Sequence, residues 1–353
     1  MHEESVHHTN SGGVTTAGLG KRFGDLWALR DLDLNVAAGT VLGLLGHNGA
    51  GKTTAIRILT TLCQPTEGSA TVAGLDVVGK ASQVRERIGV ASQQATVDGL
   101  MTARLNLQII GRLRGMSRAT ARQRGDQLLE QLDLTEFAGA LVKTYSGGMR
   151  RRLDLAASLM GHPEVLFLDE PTTGLDPRSR GDLWQMLTEL VRNGTTVILT
   201  TQYLEEADRM ADDIVVLDHG RTVAHGTPTD LKARIGDDRL DVKVTTVDEL
   251  AGAARSLSAF SDGEPTLDAD LLTVTAPIRA DVRVIDVVRA LDEAGIDAVD
   301  ISRRQATLDD VFLALTDGSR RVDDDTTTTT AESGALVDSA ASTTGRTSRT
   351  REV

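Results

Sequence analysis

The sequence has little cysteine, no long apolar run and no excess of basic residues. One cysteine among 353 residues excludes an internal disulfide framework and a cysteine-rich zinc site, and it fits a reducing cytosol. No apolar run approaches the ~20 residues of a membrane span, and the first ten residues do not resemble a signal peptide. A net charge of −13 argues against a broad basic face for nucleic acid. We therefore expect a cytoplasmic chain with no membrane span, no nucleic-acid partner, and a membrane role only through another protein.

Apolar patterning predicts an α/β fold. Alternating apolar residues from Val14 to Val36 indicate a small antiparallel sheet near the N-terminus. Further along, short apolar strands alternate with amphipathic helices, which implies a mostly parallel sheet covered by helices on both faces. The strands predicted for this second sheet are Val41–Leu45, Ile88–Ala91, Val165–Leu168, Thr196–Thr200 and Ile214–Leu217.

Changes in composition divide the chain into four parts. Residues 1–12 are polar and predicted to be disordered, and 13–236 carry the α/β domain, with a helical subdomain at about 95–160. In 237–317 a βαββαβ-like order of elements suggests a small ferredoxin-like domain of the α+β class. Residues 318–353 are rich in Thr, Ser, Asp and Arg, and their low apolar content predicts disorder.

A glycine-rich loop between a predicted strand and a predicted helix carries the main functional signal. The order strand, GxxxxGK[ST] and helix is that of a P-loop, whose glycines let successive N–H groups point at a phosphate. The N-terminus of the next helix adds its partial positive charge. Lys52 is placed to reach the outer phosphates, and the Thr53 hydroxyl to bind Mg²⁺. The residues expected to bind the nucleotide are Gly46, His47, Asn48, Gly49, Ala50, Gly51, Lys52, Thr53 and Thr54.

Two adjacent acids follow a second apolar strand, Val165–Leu168. Ligands bind just outside the carboxyl ends of strands in open α/β sheets, so this position suits a nucleotide site. Asp169 can hold Mg²⁺ beside Thr53, and Glu170 can polarise a water molecule for attack on the γ-phosphate. A strand that ends in ordinary turn acids is the alternative, and the P-loop earlier in the chain argues against it.

Further motifs, in their order along the chain, resemble those of ATP-binding-cassette (ABC) ATPases. Tyr145-Ser146-Gly147-Gly148-Met149 resembles the signature sequence, usually LSGGQ, and Gly174-Leu175-Asp176 resembles the D-loop. The resemblance spans residue 14 to about 230 and implies ATP and Mg²⁺ as cofactors. It also implies that Gln93 is the glutamine-loop residue, with a role in catalysis and as a Mg²⁺ ligand, and that Phe23 stacks on adenine.

The signature residues have a physical reason to bind phosphate. Ser146 is a good helix N-cap, and Gly147 and Gly148 leave backbone N–H groups bare at a helix start. In the family this surface faces the P-loop of another copy. The resemblance therefore implies a head-to-tail homodimer that holds ATP between Ser146, Gly147 and Gly148 of one subunit and the P-loop of the other.

Gln202 departs from the usual family pattern, because most relatives carry histidine at this position of the switch region. A glutamine amide can hydrogen-bond the γ-phosphate or hold the attacking water, and we expect Gln202 to act in catalysis, but it cannot carry charge. The same glutamine, with YSGGM followed by Arg150-Arg151-Arg152-Leu153-Asp154, resembles the daunorubicin-resistance type of exporter ATPase. The run Ala306–Leu313 resembles the end of the small domain of that type. The three arginines by themselves are typical of a solvated helix face.

Three functions fit this pattern. The resemblance favours the ATP-hydrolysing subunit of an ABC exporter, peripheral on the inner face of the cell membrane, which drives a separate permease to export a drug-like or lipid-like substrate. The alternative is a soluble ABC ATPase that acts on ribosomes or DNA, although such proteins usually have two cassettes or a long coiled-coil insertion. A binding module that no longer hydrolyses ATP is the third reading: the intact pair Asp169-Glu170 argues against it, while Gln202 in place of histidine is compatible with it.

Overall fold

The computed structural model describes residues 13–92, 96–201, 203–234, 238–279 and 281–312. Its strands, in chain order, are β1 (Val14–Phe23), β2 (Leu26–Val36), β3 (Val41–Leu45), β4 (Glu67–Val72), β5 (Leu75–Asp76), β6 (Ile88–Ala91), β7 (Val165–Asp169), β8 (Thr196–Thr201), β9 (Asp213–Asp218), β10 (Arg221–Gly226), β11 (Asp238–Val244), β12 (Thr266–Asp268), β13 (Thr273–Pro277) and β14 (Ala298–Gln305). Its helices are α1 (Lys52–Leu59), α2 (Ala81–Arg87), α3 (Ala103–Leu113), α4 (Arg118–Gln131), α5 (Gly147–Leu159), α6 (Pro177–Arg192), α7 (Leu204–Met210), α8 (Pro228–Ala233), α9 (Val247–Ser258) and α10 (Val284–Glu293).

The first sheet is antiparallel and has the strand order β2-β1-β4-β5. Val14 on β1 lies opposite Val36 on β2 and Val72 on β4. The buried side chains alternate along β2, as period-2 strands with one face in a core require. The antiparallel sheet predicted near the N-terminus is therefore confirmed.

The second sheet has six strands in the order β10-β9-β3-β8-β7-β6. All its neighbouring pairs are parallel except β10 with β9. All five residues of β3 are buried, as expected for a strand covered by helices on both faces. The carboxyl ends of β3, β8, β7 and β6 therefore lie side by side at one edge of the sheet, where this architecture binds ligands.

Two hydrophobic clusters cover the two faces of this sheet. One joins the antiparallel sheet to α1 and includes Leu32, Leu59 and Phe167. The other joins α3, α4 and α5 to the sheet and includes Leu107 and Leu128. None of the helices in the described residues is both long and apolar enough to cross a bilayer.

The third sheet is antiparallel, with the order β12-β13-β11-β14. Helices α9 and α10 cover it and give the chain order β-α-β-β-α-β, the split-βαβ arrangement of ferredoxin-like folds. Its own core includes Leu240, Val242, Leu257, Val274 and Leu291. These residues form a cluster separate from those of the six-stranded sheet.

The last described residues pack against strand β9 and helix α8. Leu308 and Val311 are buried beside Leu231 of α8 and Val216 of β9. Just before them, Arg304 donates both to Asp241 of β11 (Nε–Oδ2, 2.7 Å) and to Asp310 (Nη1–Oδ2, 2.6 Å). The segment therefore belongs in sequence to the predicted small domain, yet it lies in the hydrophobic cluster of β9 and α8.

Candidate functional site

The edge of the six-stranded sheet gathers the predicted site loops. The P-loop follows β3 and the switch region follows β8, and Leu45 lies directly opposite Thr201 across these two strands. On the next strand Asp169 lies opposite Thr200. Strand β6, beside β7, leads to the glutamine loop. Gln93 and Gln202 themselves lie outside the described residues, but the strands that lead to them, β6 and β8, end at this edge.

The P-loop needs glycine at two positions. Gly46 has φ 150° and Gly51 has φ 108°. A Cβ on Gly46 would lie 2.4 Å from the Leu217 carbonyl oxygen, and one on Gly51 would lie 2.6 Å from the Ala28 carbonyl oxygen. Both contacts are with backbone, which cannot move aside as a side chain can. The loop can therefore lie this close to the neighbouring backbone only because these two residues have no side chain.

Lys52 is folded back onto the P-loop. Its ammonium group donates to the carbonyl oxygens of Gly46 (2.6 Å) and His47 (3.1 Å), and only 5% of the residue is exposed. Burial lowers the pKa of Lys52, and the negative charges of Glu170 and Asp169 oppose that shift. The amine is therefore held between the P-loop and the two acids of β7. The Thr53 side chain, next in sequence, is exposed.

The acid pair is fixed by the neighbouring strand β8. Asp169 Oδ1 accepts a hydrogen bond from the Thr200 hydroxyl (2.6 Å), and the Glu170 N–H donates to the carbonyl oxygen of Thr200 (3.1 Å). Glu170 has φ 49°, a left-handed conformation that is uncommon for any residue except glycine. Such strained backbone is concentrated at functional sites.

Arg151 of α5 joins several of these loops. Its guanidinium donates to the carbonyl oxygens of Pro171 (2.6 Å), Asp169 (3.1 Å) and Glu170 (3.1 Å), and also to that of Ser92 (2.8 Å) at the end of β6. The prediction that the arginine triplet forms a solvated face is therefore wrong for Arg151. The three residues look alike in the sequence, and only the rotation of α5 against the sheet separates them.

Asp154, one turn further along α5, ties this helix to the residues after the glutamine loop. Its Oδ1 accepts the backbone N–H of Thr96 (2.8 Å), and the residue is 4% exposed. Burial raises the pKa of Asp154, while hydrogen bonds from Thr96 and the charge of Arg151 act in the opposite direction. An aspartate within the mostly apolar stretch Leu153–Leu159 is the signal in the sequence that could have found this contact.

Replacing Arg151 with alanine should lower the free energy of unfolding by about 3 kcal/mol, because three half-buried carbonyl groups would lose their donor at about 1 kcal/mol each, the lower end of the usual range. The matched control is Arg150→Ala, since the Arg150 guanidinium donates to the carbonyl oxygen of Lys143 at an exposed site. That variant should lose less than about 1 kcal/mol. Urea denaturation measures both values, and equal losses would contradict the role of Arg151.

The signature residues begin α5 and are exposed at their start. The Ser146 hydroxyl accepts the N–H of Met149 (3.2 Å) and caps the helix, while Ser146 and Gly147 are both exposed. A Cβ on Gly148 would lie 2.7 Å from Ser179 Oγ. The two departures from LSGGQ point inward: the Tyr145 hydroxyl donates to the Phe137 carbonyl (2.6 Å), and Met149 packs on the helical cluster.

The remaining predicted residues are Phe23 and those of the D-loop. Phe23 ends β1 and is 51% exposed, with Lys21 Nζ 5.2 Å from its ring centroid. In the predicted D-loop, Leu175 is buried and Asp176 caps α6 by accepting the Ser179 N–H (3.0 Å). Hydrogen bonds from the Ser179 hydroxyl and N–H lower the pKa of Asp176.

Sequence reasoning missed Glu206, a buried carboxylate behind the switch region. It accepts from the hydroxyls of Thr201 (2.8 Å) and Thr172. Burial raises the pKa of Glu206, against the effect of these hydrogen bonds. Thr172 follows the acid pair and Thr201 precedes Gln202, so Glu206 connects the two loops that flank the predicted reaction centre.

Comparison with known sequences identifies close relatives. The sequence model of the family described as ABC transporter matches residues 29–173. The daunorubicin resistance ATP-binding protein DrrA3 of Streptomyces coeruleorubidus is 52% identical over 310 residues, which are 88% of this chain and 97% of that protein. The doxorubicin resistance ATP-binding protein DrrA of Mycobacterium tuberculosis is 44% identical, over 86% of this chain and 93% of that protein. The Nod factor export ATP-binding protein I of Cupriavidus pinatubonensis is 40% identical, over 84% and 88%.

Solved structures show the same fold. The ATP-binding subunit of an ABC transporter aligns with a TM-score of 0.57 and 25% identity, over 63% of this chain and 92% of the other. A dimeric ATP-binding cassette in a post-hydrolysis state, bound to ADP and Pi, aligns with a TM-score of 0.56 and 26% identity, over 61% and 98%. These similarities confirm the predicted fold class and the predicted resemblance. The chain belongs to the ATP-binding proteins of the ABC transporter family, and specifically to those of the daunorubicin-resistance type.

Proposed function

We propose that this chain binds and hydrolyses ATP as the peripheral subunit of an exporter, on the inner face of the cell membrane. The observation that supports this function best is the single sheet edge at which the P-loop, the acid pair and the strands that lead to Gln93 and Gln202 meet. The relatives named for daunorubicin resistance and for Nod factor export suggest a drug-like or lipid-like amphiphile as the exported substrate.

In the proposed site the P-loop residues Gly46 to Thr54 surround the phosphates of ATP. The Lys52 ammonium, now bonded to two carbonyl oxygens, takes the outer phosphates as additional acceptors. Phe23, exposed at the end of β1, supplies a face for the adenine ring. These contacts position the triphosphate against the carboxyl ends of β3 and β7.

The donor set fits Mg²⁺, which prefers oxygen ligands and is held in such sites by one or two carboxylates with substrate phosphates. Asp169, the Thr53 hydroxyl and Gln93 would hold the ion, which supplies charge neutralisation at the β- and γ-phosphates. Glu170 accepts a proton from the attacking water, and Gln202 orients that water or the γ-phosphate through its amide. Thr200 keeps the Asp169 carboxylate in place.

The signature surface requires a second subunit. Ser146 and Gly147 are exposed at the start of a helix whose first N–H groups are free to bind phosphate. We propose that they bind the ATP held by the P-loop of a second copy, so that two ATP molecules close a homodimer. The solved cassette described as dimeric and bound to ADP and Pi supports this arrangement.

A cleft beside β6 suits contact with the membrane subunit. It has a volume of about 840 Å³ and is lined in part by Leu62, Arg85, Ile110, Leu113 and Met116. Leu62 is 73% exposed and Leu113 is 82% exposed, so both present apolar surface to a partner. We propose that a short helix of a separate permease occupies this cleft. Thr96 also lines the cleft, and its N–H donates to Asp154 of α5. A helix bound in the cleft would therefore contact the chain next to the glutamine loop and could shift α5.

The division of the chain into an ABC ATPase domain at 13–236 and a small domain at 237–317 stays a proposal. The separate core of the third sheet supports it. Leu308 and Val311, near the end of the second segment, are buried in the cluster of β9 and α8. These residues therefore attach the proposed small domain to the proposed ATPase domain.

Replacing Leu113 with aspartate should abolish co-purification with the permease while leaving the basal ATP hydrolysis of the isolated chain unchanged. A charge at this position has to be desolvated when the cleft is filled, whereas the free chain leaves it in water. Pull-down from detergent-solubilised membranes of the source organism measures co-purification with the permease. Phosphate release measures the basal ATP hydrolysis. Leu271→Asp is the matched control, because Leu271 is also exposed, at 63%, on the small domain.

The same pull-down tests the proposed function. A multi-span membrane protein recovered with the wild-type chain, and not with Leu113→Asp, supports the exporter. Recovery of ribosomes or DNA in its place would contradict it.

A further inference from the structure

Two histidines and an aspartate meet behind the P-loop, on the side away from the acid pair. His47 Nε2 lies 2.8 Å from Asp218 Oδ1, and His219 Nε2 lies 3.8 Å from the same oxygen. The three donor atoms all lie within 4.8 Å of one another. His47 is the second residue of the P-loop, Asp218 is the last residue of β9, and His219 lies in the turn between β9 and β10.

The second nitrogen of His47 already has a partner. Its Nδ1 lies 2.7 Å from the carbonyl oxygen of Asn48, a group that can only accept a hydrogen bond. Nδ1 can donate its hydrogen to this carbonyl, and Nε2, on the other side of the ring, faces Asp218 Oδ1. Histidines that bind metals usually have this arrangement, with the other ring N–H donated to a backbone carbonyl or a carboxylate.

From this geometry we propose that His47, Asp218 and His219 form a binding site for a transition-metal ion such as Zn²⁺. Zinc binds histidine nitrogen and carboxylate oxygen at about 2.0–2.2 Å, so ligands of a tetrahedral site lie about 3.4 Å apart. The separations of 2.8 and 3.8 Å fall on either side of that value, and small rotations of exposed side chains would equalise them. Water would supply the fourth ligand.

The surroundings allow an ion to enter and then to be held. The His219 side chain is 83% exposed and that of Asp218 only 9%, so one ligand faces solvent and another is anchored in the protein. The turn itself is fixed to the P-loop, because the Gly220 N–H donates to the Ala50 carbonyl (3.0 Å) and the Arg30 N–H donates to the Gly220 carbonyl (2.7 Å). Two ligands are therefore held on backbone that is already positioned.

This site differs from the proposed Mg²⁺ site in chemistry and in place. Imidazole suits Zn²⁺ and its neighbours, whereas Mg²⁺ prefers oxygen ligands. A metal on His47 would fasten the first turn of the P-loop to β9 and β10, while the backbone carbonyl of the same residue accepts from Lys52 (3.1 Å). The three ligands and their separations do not involve ATP. The experiment on the metal site can therefore fail while the proposed function holds, and the reverse is also true.

Zn²⁺ binding to the full-length chain, purified without a histidine tag and measured by competition with a chromophoric chelator in excess Mg²⁺, tests the proposal. We expect one tightly bound Zn²⁺ per chain. His219→Ala and Asp218→Asn should each weaken binding by at least about tenfold. Co²⁺ substituted for Zn²⁺ should give the visible absorption of a low-symmetry site, and His219→Ala should remove it.

Two controls separate this cluster from other histidines. His225 lies 2.6 Å from Asp213 but forms only a pair, so His225→Ala should keep the Zn²⁺ affinity. A variant with His2, His7 and His8 all replaced by alanine should also keep it. Absence of bound Zn²⁺ in the wild-type chain, equal affinity in wild type and His219→Ala, or loss of binding in either control would each overturn the proposal and leave His47–Asp218 as a hydrogen bond that anchors the P-loop.

Discussion

Replacing Lys52 with alanine should weaken ATP binding by about a hundredfold or more while leaving the chain folded. The ammonium group is the cation that the P-loop offers to the outer phosphates, and hydrogen bonds to charged groups contribute about 1.5–3 kcal/mol each. The loss of about 3 kcal/mol corresponds to roughly two powers of ten in affinity. Titration with a fluorescent ATP analogue gives the two dissociation constants.

The fold should survive because burial lowers the pKa of Lys52. A lysine with a lowered pKa in the folded state binds its proton less tightly there than in the unfolded chain. Its charge therefore costs stability at pH values below the folded pKa, and this cost falls as the pH rises through the folded pKa towards the unfolded value. Removal of the charge relieves this cost and offsets part of the loss of the two hydrogen bonds to Gly46 and His47.

Lys80→Ala is the matched control, since Lys80 is exposed at the start of α2. It should bind ATP as the wild type does. Undiminished ATP affinity in Lys52→Ala would contradict the assignment of the P-loop, and thermal unfolding of each variant shows whether a loss of binding reflects a loss of fold.

Local patterns predicted the sheet edge well. Strand β7 is four apolar residues followed by two acids, and the P-loop combines glycines with a strand before and a helix after, so each could be placed from its own neighbours in sequence. The alternation of strands and helices predicted that these strands are parallel. Their order in the sheet, which places Asp169 opposite Thr200, came only from the structure.

Contacts set by the packing of distant elements could not be predicted in this way. Arg151 and Arg150 are neighbours with the same side chain, and the angle at which α5 meets the sheet decides that only Arg151 reaches the carbonyl groups of Asp169 and Ser92. Glu206 looks like one of several acids after β8, although it is buried between Thr172 and Thr201. The resemblance assigned the run Ala306–Leu313 to the end of the small domain, but the place of Leu308 beside Leu231 depends on the path of the whole segment before it.

Replacing Glu170 with glutamine should reduce ATP hydrolysis by about 10²–10⁴-fold, the usual contribution of a general base, and leave ATP binding intact. Glutamine has nearly the same shape and keeps an oxygen for hydrogen bonding, but it cannot accept the proton of the attacking water. The Glu170 N–H is held by Thr200, and its backbone has φ 49°; both features belong to the main chain and persist in the variant. Phosphate release under saturating ATP measures the loss.

The same variant should accumulate as a dimer when ATP is present, because the proposed closed state contains two uncleaved ATP molecules and reopens only after hydrolysis. Size-exclusion chromatography with and without ATP detects this change in mass.

The matched control is Glu164→Gln, at the opposite end of strand β7. Glu164 lies 3.5 Å from Arg87 in a partly exposed ion pair, and the contribution of such a pair to stability is small. Glu164→Gln should turn over ATP and remain in the wild-type monomer–dimer balance. Normal hydrolysis by Glu170→Gln would show that another group accepts the proton, and slow hydrolysis without an ATP-dependent dimer would place the signature residues Ser146 and Gly147 outside the nucleotide site.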